Sequence, residues 1–301
     1  MGSLQEQHGR RLSRLDPLLA DSVPLPEAGP EDVLLEVPGG TGLARLVRAD
    51  ATTLDGTWNP AERHVLMARI GEQGPVDAME ALLSEWSKSV RTRAGRAESA
   101  AVLSWPSRDL VLTPTFLARG LAPRLVLAIR LAGRDSPAGA TDVTVRRANG
   151  ADLDAVVAME LELVRWNQML GQMTERPNTA DLIRAKHTAD GRPWSWLAEV
   201  DGTPVGLLSV LDPEHAPWTS GLSSAGSAVY LSDLMVLPDR RGAGAGTALV
   251  RHVHRELDRA GYNAVLLHYL AMNPLAGPFW HRCGYRPLHT NWEVRPAAHL
   301  H

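Results

Sequence analysis

Apolar and polar residues in the second half of the chain follow the periods of alternating strands and helices. Alternating or continuous apolar runs predict six strands, at 142–147, 194–200, 203–210, 229–237, 264–269 and 288–294. Apolar residues three and four positions apart predict helices at 151–164, 180–190, after residue 246, and at 273–283. Together these elements predict an α/β (α+β) domain whose central mixed β-sheet is flanked by helices.

A stretch without periodicity, 132–141, is rich in Gly, Ser, Pro and Ala and is typical of a linker. We therefore predict a first domain at 1–131, the linker at 132–141 and a second domain at 142–301. A shift of the sequence by 164 positions aligns Ala100, Leu103, Gly120 and Pro123 with Ala264, Leu267, Gly284 and Pro287. An apolar helix face precedes both segments. This echo predicts that the first half is a diverged copy of the second.

Composition removes several classes of function. The chain has 301 residues, with 31 basic and 34 acidic side chains and a formal charge of -3, so no global positive field attracts nucleic acid. The single cysteine, Cys283, excludes an internal disulfide framework and a cysteine-rich metal site, and we expect no metal. Neither a membrane-spanning apolar run nor a secretory leader is visible, so we expect a cytoplasmic protein without a membrane partner.

The most informative motif is Arg241-Gly-Ala-Gly-Ala-Gly246, which follows a predicted strand and opens a predicted helix. Glycines let the backbone curl around an anion, and the free amides of a helix N-terminus favour negative charge, so a diphosphate is the expected guest. A tight connection without a ligand is the alternative. The pattern is neither the glycine fingerprint of dinucleotide-binding folds nor a nucleotide P-loop, which requires a lysine at this place.

Two segments, 234–246 and Asn273-Pro-Leu-Ala-Gly-Pro-Phe-Trp-His-Arg-Cys-Gly-Tyr285, resemble the GNAT superfamily of acyl-CoA-dependent N-acyltransferases. The resemblance implies a tandem member of that superfamily with a degenerate first half, and acetyl-CoA or another acyl-CoA as the donor. It also implies a set of donor-binding positions: Leu234, Met235, Val236, Arg241, Gly242, Ala243, Gly244, Ala245, Gly246, Thr247, Asn273 and Trp280.

Catalysis requires a base for the acceptor amine and an acid for the leaving thiolate. Asp233, on the strand before the motif, is our first candidate base, and His268 is the second. Trp280 stands where the superfamily often has a tyrosine as general acid, and indole cannot supply that proton. Tyr269 and His281 are the candidate substitutes.

Large rings in the second half could line an acceptor cleft. We expect Trp166, Trp218 and Asp233 to contact the acceptor. The predicted function is direct transfer of an acetyl group from acetyl-CoA to a primary amine of a small molecule. Aminoacyl-tRNA-dependent transfer and a non-catalytic, CoA-binding regulatory role are the alternatives. The first half has Ile70-Gly-Glu-Gln-Gly-Pro75 at the equivalent turn, and its acidic Glu72 predicts that it does not bind CoA. The oligomeric state is not predicted.

Overall fold

The computed structural model describes residues 2–93, 97–134 and 142–301. They form two compact units. Unit 1 comprises Met1–Asp50, Asn59–Leu127 and Pro287–His301, and unit 2 comprises Ala51–Trp58 and Ala128–Arg286. The predicted linker lies outside the described residues from position 135 to 141. The predicted boundary assigns 287–301 to the second domain and 51–58 to the first, whereas each of these segments packs within the other unit.

The helices are α1 Leu4–Leu15, α2 Asp55–Trp58, α3 Pro75–Arg93, α4 Thr113–Ala118, α5 Leu153–Met169, α6 Thr179–Thr188, α7 Ala245–Arg259 and α8 Ala276–Arg282. The strands are β1 Val33–Val37, β2 Gly40–Arg48, β3 Glu62–Ile70, β4 Ser99–Pro106, β5 Ala122–Leu131, β6 Thr144–Arg147, β7 Trp194–Val200, β8 Thr203–Val210, β9 Ala228–Val236, β10 Ala264–Leu270 and β11 Arg286–Val294. None of the helices described here is long and apolar enough to cross a membrane.

Unit 1 is built on a mixed sheet with the strand order β1-β2-β3-β4-β11-β5. Strands β3 and β4 are parallel, whereas β11 is antiparallel to β4. The long helix α3 buries one face against this sheet, because its apolar residues recur three and four positions apart. The buried face of α3 consists of Ala78, Met79, Leu82, Leu83, Trp86 and Val90.

Unit 2 has the strand order β5-β10-β9-β8-β7-β6. Strands β6 to β9 are antiparallel, and β9 and β10 are parallel. Trp196 bonds to Glu256 of α7, whereas Leu197 packs with Val156 of α5, so α7 and α5 cover opposite faces of the sheet. Positive φ at Asp201 and Gly202 forms the tight turn that the Asp-Gly pair predicts between β7 and β8.

The order β3-α3-β4-α4-β5 in the first half recurs as β9-α7-β10-α8-β11 in the second. Gly120 and Gly284 follow the last helix of each series with φ of 79° and 88°. In both places the next amide donates to the carbonyl five residues earlier, at 3.1 Å. The repeated element order expected from the shifted sequence is therefore present. That the first half is a degenerate GNAT-like domain stays a prediction.

Candidate functional site

Strands β9 and β10 separate partway along their length. Residues 228–230 pair with 264–266, but β9 continues to Val236 and β10 to Leu270 without further pairing in the described ladder. Backbone groups of β9 beyond Tyr230 on this side are therefore available to a ligand, since buried amides and carbonyls need partners. Leu234 and Val236, both predicted as donor-binding positions, lie in this stretch.

The glycine turn after β9 has the geometry of an anion cradle. Gly242 and Gly244 have φ of 82° and 90°, and Gly244 is the N-cap of α7 with no side-chain cap hydrogen bond. The first amides of a helix have no intrahelical partner, so those of Ala245, Gly246 and Thr247 can donate to a bound anion. A Cβ added at Gly242 would meet nothing within 4 Å, so the approach to the turn is open.

Arg241 supplies a fixed positive charge beside these amides. Its guanidinium lies 4.2 Å from the centre of the Trp166 ring, and its Nε donates to the carbonyl of Val236 at 3.1 Å. Among the described residues no carboxylate forms an ion pair with it. Burial lowers the pKa of Arg241 from its usual value, yet a guanidinium stays charged at neutral pH. The structure thus places Trp166, an expected acceptor contact, against the cradle.

The remaining donor-side positions have visible packing roles. Asn273 Oδ1 accepts from the amide of Leu275 at 3.1 Å and so fixes the turn that leads into α8. Trp280 is buried, with its ring 5.0 Å from Phe279 and 5.2 Å from Tyr285. These contacts pack α8 against Tyr285, the residue that precedes β11.

The two candidate acids lie together. Tyr269, near the end of β10, has its hydroxyl 3.1 Å from Nε2 of His281 on α8. Burial raises the pKa of Tyr269, so the phenol keeps its proton at neutral pH. The pair forms a hydrogen-bonded unit that could deliver a proton.

A β-bulge distorts β9 beside Asp233. Ser209 of β8 pairs with Asp233, but the next residue, Val210, pairs with Leu231, so Ser232 is the extra residue. The Ser232 hydroxyl donates to Oδ2 of Asp233 at 2.6 Å. The periodicity of the sequence did not predict this bulge, which adds one residue to β9 next to the candidate base.

Asp233 belongs to a buried ionic cluster that the sequence did not reveal. Lys186 Nζ on α6 lies 2.9 Å from Asp233 Oδ2 and 2.7 Å from Glu160 Oε1 on α5. His187 Nε2 lies 2.7 Å from the other oxygen, Glu160 Oε2. The Trp58 ring on α2 is centred 5.6 Å from the ammonium. Side chains from three helices thus meet at Lys186, which contacts the carboxylate of β9.

The two carboxylates of this cluster differ in their surroundings. Burial and the charge of Glu160 raise the pKa of Asp233 despite the opposing charge of Lys186. Burial alone would raise the pKa of Glu160 too, but Lys186 and His187 together lower it. Asp233 Oδ1 has no hydrogen-bond partner among the described residues, and the side chain keeps 8% exposure. Asp233 is therefore the carboxylate placed to exchange a proton.

An aromatic group lies next to Asp233. The hydroxyl of Tyr230 is 2.7 Å from Nδ1 of His268, the second candidate base. Trp218 packs edge-to-face on Tyr230, with ring centres 4.9 Å apart, and remains 52% exposed. Burial, and then the charge of Asp233, raises the pKa of Tyr230. The alternation of apolar and polar residues along this strand did not distinguish Tyr230 as a candidate site residue.

Residues 161–285 match the family model described as Acetyltransferase (GNAT) family. The chain carries a GNAT acetyltransferase domain. The matched span contains the separated strands, the glycine turn, Lys186 and Asp233, and it is an acyltransferase domain. No cluster of three metal-ligating His, Cys, Asp or Glu side chains is found in the part of the chain that the structure describes.

Solved GNAT proteins are similar to this chain at low identity. A GCN5-related N-acetyltransferase from Sphaerobacter thermophilus is 17% identical, over 85% of this chain and 78% of that one, with a TM-score of 0.51. A GCN5-related glucosamine N-acetyltransferase region of a fungal multi-domain β-N-acetylglucosaminidase is 12% identical, over 85% and 31%, with a TM-score of 0.52. A tandem GNAT protein from the clavulanic acid biosynthesis pathway is 15% identical, over 89% and 84%, with a TM-score of 0.48. No curated protein sequence matches the chain.

Proposed function

We propose that this protein is an N-acetyltransferase that moves an acetyl group from acetyl-CoA to a primary amine of a small molecule, by direct attack in unit 2. The observation that carries the proposal is the position of Asp233. Its open oxygen lies at a bulge of β9, the strand that separates from β10 and leads into the glycine turn.

The residues of the cradle fit a CoA donor. The amides at the start of α7 and the unpaired Arg241 would hold the diphosphate, and the backbone of Leu234 and Val236 would bond to the pantetheine arm. Acetyl-CoA, when bound, supplies an activated thioester carbonyl. Trp280 and Asn273 support the donor site through the packing and turn described above.

Asp233 would act as the general base. Oδ2 is held by Lys186 and Ser232, which leaves Oδ1 to take the proton from the acceptor amine as its nitrogen attacks. Burial favours this role because it brings the pKa of a carboxyl closer to neutral pH. His268, hydrogen-bonded to Tyr230, is the second candidate base.

Two other groups complete the chemistry. The extra residue at a bulge leaves its backbone amide outside the ladder, and such an amide suits the oxygen on which negative charge develops. Tyr269, hydrogen-bonded to His281, would donate a proton to the leaving sulfur. It would thus take the role of the tyrosine that the superfamily often has at the position of Trp280.

The acceptor would be a small amine that meets Trp218 and Tyr230 beside Asp233. A formal charge of -3 argues against an RNA-borne donor. The presence of both a base candidate and a hydrogen-bonded acid candidate argues against a purely regulatory role. The single cysteine, which is buried, agrees with a cytoplasmic location, which we propose as well.

Unit 1 would not bind CoA. Its equivalent turn lies under α1, and a Cβ on Gly71 would meet Gln7 Oε1 at 2.9 Å. Glu72 forms ion pairs with Arg10 at 3.1 Å and with Arg14 at 2.7 Å. Side chains therefore occupy the place that the amide cradle leaves open in unit 2.

The test combines calorimetry with acetyl-CoA and thiol release over a panel of tryptamine, tyramine, putrescine and glucosamine. Asp233→Asn is expected to keep its affinity for acetyl-CoA and to lose about 10²- to 10⁴-fold in kcat/KM. Asp154→Asn, which alters an exposed carboxylate on α5, is the matched control and should leave both unchanged. Absence of acetyl-CoA binding by the wild type would overturn the donor assignment, and full activity of Asp233→Asn would remove Asp233 as the base.

A further inference from the structure

Two carboxylates and an aromatic ring surround the ammonium group of Lys186. Two carboxylate oxygens accept from it at 2.7 and 2.9 Å, and the face of Trp58 covers another side. The side chain keeps only 10% exposure, and Glu160 keeps 2%. A buried charge is stable only when it is paired this closely, so the position of the ammonium is fixed.

The two carboxylates around Lys186 differ in how many of their oxygens have hydrogen-bond partners. Glu160 is satisfied on both oxygens, by Lys186 and by His187. Asp233 is satisfied on Oδ2 alone, by Lys186 and Ser232. Oδ1 is not among the fully buried atoms of the described residues that lack a partner, so the 8% exposure of the side chain leaves this oxygen accessible to water or to a ligand.

We propose that Lys186 and Glu160 are positioning residues for the general base: Lys186 clamps Oδ2 so that Oδ1 faces the acceptor, and Glu160 anchors Lys186 and offsets its charge. This inference rests on the proposed function, because it requires Asp233 to be the base. It also gives the first half a role at the site, since Trp58 of α2, which covers Lys186, comes from residues 51–58.

The charges around Asp233 fix the sign of each effect. The titratable groups that face it are Glu160 from α5, Lys186 from α6 with His187 behind Glu160, Tyr230 from β9 and His268 of β10 behind Tyr230. The neighbouring Ser209, Ser232 and Trp58 are neutral. Lys186 favours the ionised carboxylate, and Glu160 opposes it.

Two single variants should therefore move the pH dependence in opposite directions. Lys186→Met removes the favourable charge, so the acid limb of kcat/KM should move to higher pH by about one unit or more. Glu160→Gln removes the repulsion, so the limb should move to lower pH. Lys186→Arg keeps the charge and should restore the wild-type limb in part. Lys88→Met, which alters the only other lysine of the chain, should change nothing.

A second readout does not need turnover. The ¹³C carboxyl resonance of Asp233, assigned by its loss in Asp233→Asn, should titrate with the same two opposite shifts in the full-length chain. If Lys186→Met does not fold, Glu160→Gln alone still decides the question, because removing the repulsion should lower the pKa of Asp233, and an unchanged or raised pKa would overturn the inference.

The outcomes separate the inference from the function on which it rests. If Asp233→Asn is fully active, the proposed base is wrong. If Asp233 is required but neither single variant moves its titration or the acid limb, Lys186 and Glu160 are merely structural and the inference is overturned. Shifts of the same sign in both variants would overturn it as well.

Discussion

Replacing Arg241 by alanine should weaken acetyl-CoA binding more than any other single charge removal near the turn. The guanidinium is held by the Trp166 ring at 4.2 Å and by the carbonyl of Val236 at 3.1 Å, so it is oriented before the ligand arrives. Nε is used, and one NH2 contact reaches only the sulfur of Met235 at 3.9 Å, so most of the donors remain for phosphate oxygens. Charge-assisted hydrogen bonds contribute about 1.5–3 kcal/mol each.

Loss of one such bond corresponds to an increase of about 10- to 150-fold in Kd, since each 1.4 kcal/mol changes Kd tenfold. Calorimetry with acetyl-CoA at low salt and at 0.5 M salt measures this Kd. The Kd of the wild type should depend more steeply on salt than that of Arg241→Ala. Arg240→Ala is the matched control: it removes the same charge one residue earlier, from an exposed side chain paired with Asp239 at 3.6 Å. Its Kd should stay within about threefold of wild type, the usual size of a surface ion pair.

Equal affinities of Arg241→Ala and Arg240→Ala would refute the reasoning, because only local, oriented donors distinguish the two. The melting temperature of both variants is measured alongside. Loss of the contact with Trp166 should cost Arg241→Ala only about 1 kcal/mol of stability, so a folded protein remains to be titrated.

Other expectations follow from single features of the structure. Gly244→Ala should lower stability by about 1 kcal/mol and weaken acetyl-CoA binding, because φ is 90° there, and thermal melting with calorimetry checks both. Burial lowers the pKa of His254 to about 3, so the folded chain keeps it neutral; stability should fall as the pH drops below about 6.5, and His254→Gln should flatten a plot of melting temperature against pH. Trp218→Ala should raise KM for the acceptor while stability changes by less than about 0.5 kcal/mol, since the ring is half exposed; an unchanged KM would exclude it from the site. Calorimetric stoichiometry should be one acetyl-CoA per chain, and two would contradict the role assigned to Glu72.

The local pattern of apolar and polar residues predicted most helices and strands of the second half. Strands β7 and β8 coincide with the predicted ranges, and the Asp-Gly turn between them has the expected positive φ values, because alternation and turn chemistry act within a few residues. The glycine turn was visible for the same reason, since its glycines permit backbone angles that other residues avoid. The turn of the proposed donor site could thus be located from the sequence.

The charged groups around Asp233 could not be predicted from the sequence. Lys186 and Glu160 lie 47 and 73 residues before Asp233, and ion pairs at such separations arise only from the packing of α5 and α6 on β9. Lys186 is one of only two lysines in a chain whose other basic residues are arginine, and this was the one available signal, which indicated no partner. Periodicity also gave no sign of the bulge at Ser232, because one extra residue in β9 is defined by its pairing with β8.

The borders of the two units also depend partly on the sequence and partly on tertiary contacts. Sequence composition predicted a linker between two halves, and the shifted sequence predicted a repeated order of elements. It could not assign β11 to β4 or residues 51–58 to unit 2, because hydrogen bonding between distant strands and contacts between distant helices decide such assignments. Sequence therefore determined most of the elements and the glycine turn, because both depend on neighbouring residues, and tertiary packing decided which charges surround Asp233.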